Sequence, residues 1–312
     1  MTIALTTAQN IVRRAFPDAK IENLWMYKQG LINRTYEIVI SNPEKELILR
    51  LSPKASWKPK KEKFVYDLIR EKTNVPVPDV FIVESSEELV GHSFMLLSKI
   101  SGEDLDKIYE KSRNKEMISK AGEFLAEIHS IKLDSFGWIM DNGIKPSFRR
   151  WTDFLEYDLN EKLLSLAMVR HFPKIVLKQC REFFSLRKPI LETNAKPCLL
   201  HKDYHFSHII ADDKRINGII DVEWAIAGNP ELDLVKSGMW MFSEKKELEK
   251  IFLDGYKKKG KISSGFEDRK VVYEFLVLIS SLSLAYEYRN LKWVDKHLNK
   301  LKKILANKKK FQ

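Results

Sequence analysis

Residues 201–210 read HKDYHFSHII and residues 218–234 read GIIDVEWAIAGNPELDL, and how these two segments pair decides the fold. Pro197-Cys198-Leu199-Leu200 leads into the first, and the polar run Asp212-Asp213-Lys214-Arg215 separates it from the apolar Ile216 to Ile220. Two short apolar segments around a polar turn predict an antiparallel hairpin. Opposed residues then share a constant index sum, here about 428 to 429, which sets His208 against Asp221 or its neighbour, with opposed Cβ atoms about 4.5–5.5 Å apart. Asp203 lies five residues before His208, on the loop that enters the hairpin from the same end. Two carboxylates and an imidazole therefore converge.

Carboxylates brought this close are costly unless a cation or a reacting proton occupies the gap. Three chemistries compete for the arrangement. In the first, Asp203 and Asp221 accept backbone N–H groups and only hold a turn. In the second, His201, His205 and His208 bind a transition metal, although their spacing suits a helix better than a strand and loop. In the third, one carboxylate orients an attacking hydroxyl and the others hold Mg²⁺ against a nucleotide's phosphates.

Outward from the hairpin, the chain changes character near residue 100. Leu24 to Tyr27, Thr35 to Ile40 and Leu47 to Leu51 are short β-prone runs broken by KQGLIN and by Asn42-Pro43, a three-strand meander. Lys58 to Lys72 has helical spacing in Phe64, Leu68 and Ile69 and is stopped by Val75-Pro76-Val77-Pro78, after which Val80 to Val83 and Ser93 to Leu97 read as strands. Beyond Gly102 helices dominate: Met117 to Ile128, Trp151 to Leu166, Ile175 to Phe184 and Val272 to Tyr288.

The paired segments resemble the motifs of the aminoglycoside phosphotransferase and choline kinase superfamily, H-x-D-x-x-x-x-N followed by a metal-binding aspartate in I-D-W-E-x-A-x-x-G-x-P-x-x-D-L. LILRLS, Glu62 on a helix, NVPVPDV, SFMLLSKISGE, and FLAEIHSI before Phe136-Gly137 agree in order. The resemblance implies an α+β, bilobal, protein-kinase-like fold. Residues 1–100 would form the nucleotide-binding lobe, an antiparallel sheet with one main helix. Residues 101–312 would form a larger, mainly helical catalytic and substrate lobe that carries the catalytic hairpin and ends in a lysine-rich tail.

It further implies a kinase that moves the γ-phosphate of ATP or GTP to a hydroxyl of a small molecule. Asp203 would be the catalytic base, His201 the brace of its loop, and Asp221 the principal Mg²⁺ ligand. Arg50 would touch the phosphates and pair with Glu62. Gly30 would lie in the turn over the phosphates, and Ser98, Lys99 and Ile100 would form the hinge beside the purine. Where the motif ends in Asn this chain has His208; because Mg²⁺ prefers oxygen ligands, Mn²⁺ enters as the alternative, with Glu223 as a supplementary ligand. Asp233 would cap a helix or fix the loop. The acceptor would lie near Trp151 to Glu161, where Asp153, Glu156, Asp158 and Glu161 stand beside Trp151, Phe154 and Tyr157; the segment would suit a cationic amino sugar or amino alcohol, although acids at helical spacing more usually form the solvated face of the helix. The alternative is a nucleotide-binding pseudokinase or scaffold without transfer activity.

Composition narrows the classes. At roughly 150 residues per folding unit, 312 residues make about two, and 44% hydrophobic residues supply an ordinary core. With only Cys180 and Cys198 a disulfide framework is excluded and a reducing, cytoplasmic setting expected. No secretory leader is expected from MTIALTTAQN, and the apolar run from Phe275 to Tyr286, broken by three serines, is too short to span a membrane. The net charge of +11 is concentrated after residue 291, where eight lysines face Asp295 alone, which reads as a solvated helix face. No interleaved basic and aromatic stripe marks a nucleic-acid groove, so no specific nucleic-acid partner is expected.

Overall fold

The computed structural model describes residues 3–27, 33–53, 56–141 and 143–306. Its first element, Leu5–Ala15 (α1), is absent from the sequence reading; it packs Ile11 and Val12 into a small core beneath the sheet. Lys20–Met26 (β1), Arg34–Ser41 (β2), Lys45–Ser52 (β3), Val80–Glu84 (β4) and Ser93–Ser98 (β5) pair antiparallel in the order β1-β2-β3-β5-β4. Alternation explains β2: Tyr36, Ile38 and Ile40 are buried and the residues between them half-buried, as the two-residue period of a strand requires.

Lys58–Lys72 (α2) spans the expected residues. Pro59 opens it where a missing N–H costs nothing. Its end is set at Thr73, whose backbone turns extended and whose Oγ1 donates to Ile69 O at 2.8 Å. The Pro76 and Pro78 that follow cannot continue a helix.

The rest of the chain is mainly helical, interrupted by short strands: Glu103–Asp104 (β6), Leu105–Ser112 (α3), Lys115–Ser130 (α4), Phe136–Met140 (β7), Gly143–Phe148 (β8), Trp151–Ala167 (α5), Lys174–Arg187 (α6), Cys198–Leu200 (β9), Ile209–Ala211 (β10), Ile216–Ile219 (β11), Ile226–Gly228 (β12), Glu231–Met241 (α7), Lys246–Lys257 (α8), Phe266–Glu287 (α9) and Leu291–Ala306 (α10). β10 and β11 form the expected hairpin with Ile209 opposite Ile219 and Ile210 opposite Gly218, an index sum of 428. β6 adds to its edge, while β8, β7, β12 and β9 make a second small sheet that the sequence reading does not contain.

The larger core is continuous across the change in character. It takes Val65, Tyr66, Ile69, Val75, Met95 and Leu97 from the first hundred residues and joins them to the helical part, so α2 is glued to both. Below the hairpin, α4 and α8 approach closely because each offers a glycine at the contact. A Cβ on Gly122 would stand 2.0 Å from Phe252 O, and one on Gly255 2.0 Å from Ser119 O. The pair supports the loop before the hairpin through Tyr204, whose hydroxyl donates to Ala121 O at 2.7 Å.

Residues 292–306 form a helix with two faces, as expected of a solvated lysine stripe. Val294, Leu301 and Leu305 are buried against the larger core, and Lys292, Lys296, Lys300, Lys302 and Lys303 are exposed. Among the described residues no helix is long and apolar enough to cross a membrane.

Candidate active site

Residues 201–204 are tied down from three sides before any chemistry is considered. Asp233, on the first turn of α7, is buried; its Oδ2 accepts the N–H of His201 at 2.8 Å and its Oδ1 the N–H of Lys202 at 2.9 Å. Asp233 Oδ2 also contacts Nε2 of buried His129, at 3.2 Å, whose Nδ1 meets the Tyr256 hydroxyl at 2.9 Å. Asp233 thus fixes the loop, the structural part expected of it.

His201 is buried between this loop and the hairpin. Its Nε2–H donates to Ile220 O at 3.0 Å and its Nδ1 accepts the N–H of Asp203 at 3.2 Å. That pairing needs the neutral ring, and burial, reinforced by the neighbouring His208, pushes its pKa down to about 4. His201 positions the loop as a neutral ring, its one proton on Nε2.

The loop delivers the Asp203 carboxylate into a crowd of donors. Oδ1 pairs with Lys236 Nζ at 2.6 Å, and Oδ2 lies 3.6 Å from His205 Nε2 and 3.5 Å from His208 Nδ1. Burial raises the carboxyl's pKa, but the Lys236 charge and the two imidazoles outweigh burial and hold it well below the usual carboxylate range. Lys236 is a site residue that the motifs do not contain. It lies one turn of α7 after Asp233, and only the tertiary fold brings it to Asp203.

His208 joins the two carboxylates. Its Nδ1–H donates to Asp203 O at 2.9 Å, leaving Nε2 toward Asp221 Oδ2 at 3.5 Å. When the ring is neutral, with its proton on Nδ1, the lone pair of Nε2 and the carboxylate oxygen face one another across a gap that a cation would fill; when the ring is protonated its own charge takes that part. Asp203, His205 and His208 also bring one ligand atom each within 4.8 Å of one another. His201 turns inward to Ile220, so the three-histidine site does not form.

Asp221 has a left-handed backbone, φ 63°, and its N–H donates to the Tyr66 hydroxyl at 2.9 Å. Burial pushes its carboxyl up, and His208 and Arg50 more than offset that, so it is held below its ordinary value. Arg50, on the central strand β3, contacts Glu62 of α2 and reaches Asp221 Oδ1 at 3.5 Å. The expected Arg50–Glu62 pair is formed. Glu223 is buried and engaged by Asn33 Nδ2 at 2.9 Å and Lys58 Nζ at 3.5 Å.

Of these groups Arg50, Asp203, His208, Asp221, Glu223 and Lys236 line one cavity of about 1190 Å³. On one side it is walled by Ile48, Leu97, Ser98, Lys99, Ile100 and Ile220. Ser98 N–H donates to Asp79 O and Lys99 N–H to Glu46 O, so of the three expected hinge residues Ile100 alone has an N–H without a backbone acceptor among the described residues. Gly30 lies outside the described residues.

The other side is lined by Trp138, Phe154, Leu155, Asp158, Trp240 and Trp293, among others. Here three of the four acids of α5 form the solvated face rather than an acidic cradle. Asp153 is taken by Arg150 at 2.7 Å, Glu156 by Lys188 at 2.7 Å, and Glu161 points to solvent. Trp151 is in the core, with its indole N–H donating to the Tyr273 hydroxyl. Tyr157 packs on Phe148 at the surface. Asp158 does face the cavity, paired with Lys162 at 2.5 Å. Helical spacing placed these acids on the outer face of α5, where they form ion pairs with neighbouring bases.

The sequence profile of the phosphotransferase enzyme family matches residues 27–271. No curated protein matches the chain in sequence. Solved structures match it in shape. A thermostable mutant of aminoglycoside phosphotransferase APH(4)-Ia, in ternary complex with AMP-PNP and hygromycin B, is similar with TM-score 0.76 at 15% identity, over 96% of this chain and 98% of that one. A putative fructosamine-3-kinase from Haemophilus somnus 129PT is similar with TM-score 0.71 at 18% identity, over 96% and 97%. The GDP and kanamycin complex of APH(2")-IIia is similar with TM-score 0.66 at 16% identity, over 96% and 99%. The shared architecture is the kinase-like one, with an N-terminal antiparallel sheet and a helical C-terminal part.

Proposed function

The chain belongs to the phosphotransferase enzyme family and is a kinase acting on a small-molecule hydroxyl; from that premise we propose that it moves the γ-phosphate of ATP or GTP, using Asp203 to orient the acceptor. The observation that carries the reading is the convergence of Asp203 and Asp221 on His208, in the cavity that Arg50 also lines. Related folds solved with AMP-PNP and with GDP support a purine nucleotide as donor.

In this reading residues 1–100 hold the nucleotide and 101–312 supply the catalytic loop and the acceptor site. The purine lies between Ile48 and Ile220, with the Ile100 N–H as its hinge donor. Arg50, kept in place by Glu62, meets the phosphates through the forked donors of its guanidinium. Asp221 and His208, with Glu223 near them, are the residues that would hold Mg²⁺ or Mn²⁺. Such an ion would draw charge from the β- and γ-phosphates. Asp203 accepts the acceptor's hydroxyl hydrogen on Oδ2, Oδ1 being held by Lys236, and so aims the oxygen at the γ-phosphorus. Its low pKa suits a reaction whose loose transition state asks for orientation first and for proton removal late.

The test is transfer of radiolabelled phosphate from ATP and from GTP to a panel of hydroxyl compounds, with Mg²⁺ and with Mn²⁺. Asp203→Asn is expected to lower turnover by about two to four orders of magnitude while nucleotide affinity stays within several-fold. A folded Asp203→Asn protein with unreduced transfer would remove the residue from the mechanism.

A further inference from the structure

Beside Asp203 more ammonium groups than carboxylates gather on one indole, Lys202 and Lys162 lining the cavity and Lys61 buried outside its lining. Lys202, Lys162 and Lys61 all bring Nζ close to the single ring of Trp138, at 3.9, 5.4 and 5.7 Å from its centre. One carboxylate, Asp158, is at hand, and it is paired with Lys162. Lys61 is fully buried, and its Nζ has no hydrogen-bond partner among the described residues. Lys202 Nζ makes no ion pair or hydrogen bond among them either; it rests on the indole face, with Asp158, which it shares with Lys162, the carboxylate whose charge acts on it most.

The other acids of the region are spoken for. Asp203 is paired with Lys236, Glu223 with Lys58 and Asn33, and Glu287 stands at the end of α9. Ammonium groups withdrawn from water are normally paired with an anion, and an aromatic face replaces only part of that stabilisation.

The backbone adds an independent observation. Lys202 is held at φ 61°, the left-handed conformation that glycine adopts freely and a side chain adopts at a cost. A residue with a long cationic side chain stands at this strained position, and that side chain lines the cavity one residue before Asp203.

We propose that the acceptor is an anionic hydroxyl compound whose carboxylate or phosphate is bound by Lys202 and Lys162 beside Trp138, with Lys61 contributing its charge from behind; this rests on the phosphotransferase reading above. The anion supplies the missing partner and orients the hydroxyl toward Asp203. Lysine suits the task, since it acts as a point charge toward carboxylate or phosphate. A polycation would be repelled from the same place, so this chain's acceptor differs in charge from an aminoglycoside.

Calorimetry on the full chain saturated with AMP-PNP and Mg²⁺ isolates the acceptor side. The probes are inorganic phosphate, gluconate, sorbitol and glucosamine. Phosphate and gluconate are expected to bind, gluconate about ten-fold or more tightly than sorbitol, and glucosamine more weakly than either. Lys202→Gly suits the left-handed backbone and so keeps the fold, checked by thermal unfolding; it should close the gap between gluconate and sorbitol, as should Lys61→Met in part. Equal affinity for gluconate and sorbitol, tighter glucosamine, no binding of any oxyanion, or an undiminished gap in Lys202→Gly would each overturn the proposal. Failure of AMP-PNP to bind would instead count against the kinase reading, and the same titrations without nucleotide would still read the anion preference.

Discussion

The two walls of the cleft, proposed above to face the nucleotide and the acceptor, balance their charges differently. On the first, Arg50 sits against Glu62 and Asp221, Lys99 against Glu37 and Glu46, and Glu223 against Lys58. On the second, Lys202 and Lys61 rest on Trp138, and burial, the largest influence on each, pushes both ammonium groups down to about 7. A wall whose ions are already paired is preorganised, and its ligands arrive at little cost in rearrangement. A wall with unmatched cations would be completed by the anionic partner proposed for it, which would also favour the charged form of both lysines. In the proposed reading the paired wall receives the nucleotide and the unmatched wall the acceptor.

Asp221 offers the strongest way to break that comparison. If the nucleotide wall is a preformed metal and phosphate site, Asp221→Ala should remove the principal ligand and free Arg50 from its second carboxylate. Metal-dependent nucleotide affinity is expected to fall by about a hundred-fold or more, measured by titration with AMP-PNP at fixed Mg²⁺. Nucleotide affinity unchanged in a folded variant would show that the wall does not depend on the metal ligand assigned to it.

The two walls also differ in how readily they can be read from sequence. The donor side is written in local patterns: the helix at Lys58–Lys72 has the boundaries its spacing and prolines predict, and the hairpin's index sum of 428 puts His208 beside Asp221. The acceptor side is assembled from distant pieces. Trp138 lies on β7, Lys162 on α5, Lys61 on α2 and Lys202 on the loop, and no spacing links them. Short strands defeat periodicity as well. β6 has two residues and β9 and β12 have three each, fewer than the four or so from which alternation can be recognised. The acids of Trp151–Ala167 left two readings open for a related reason: residue type is visible in a sequence, but whether a neighbouring base has already taken it is not. Lys188 and Arg150 settle that for Asp153 and Glu156.

Lys236 sharpens the comparison at the seam between the walls, where it is the largest influence holding the Asp203 carboxyl low against burial. A carboxyl depressed in the folded state is ionised above its folded pKa and loses its function, and its share of stability, as pH falls through that value. Lys236→Met removes the lowering charge, so the acid limb of the rate profile should move upward, by about one pH unit. The rate near neutrality should fall by less than about ten-fold. Profiles of kcat against pH for wild type and variant decide it; an acid limb that stays where it was would show that Lys236 is a brace for the loop, through its bond to Lys202 O at 2.5 Å, and not the group that sets Asp203.

The smallest effect is expected at His208, which belongs to both walls: Nδ1 holds the Asp203 backbone and Nε2 faces Asp221. Imidazole is a softer ligand than an amide oxygen, so a metal held through Nε2 favours Mn²⁺ over Mg²⁺ more than an all-oxygen site would. His208→Asn replaces nitrogen with oxygen, and its shorter side chain leaves the Asp203 carbonyl to find another donor. The ratio of Mn²⁺-supported to Mg²⁺-supported turnover should fall by about two- to five-fold, with thermal unfolding little changed because the bond lost lies at the cavity's rim. A ratio that stays constant in a folded, active His208→Asn protein would assign His208 to the loop alone and leave the ion to Asp221 and Glu223, the two carboxylates that follow β11.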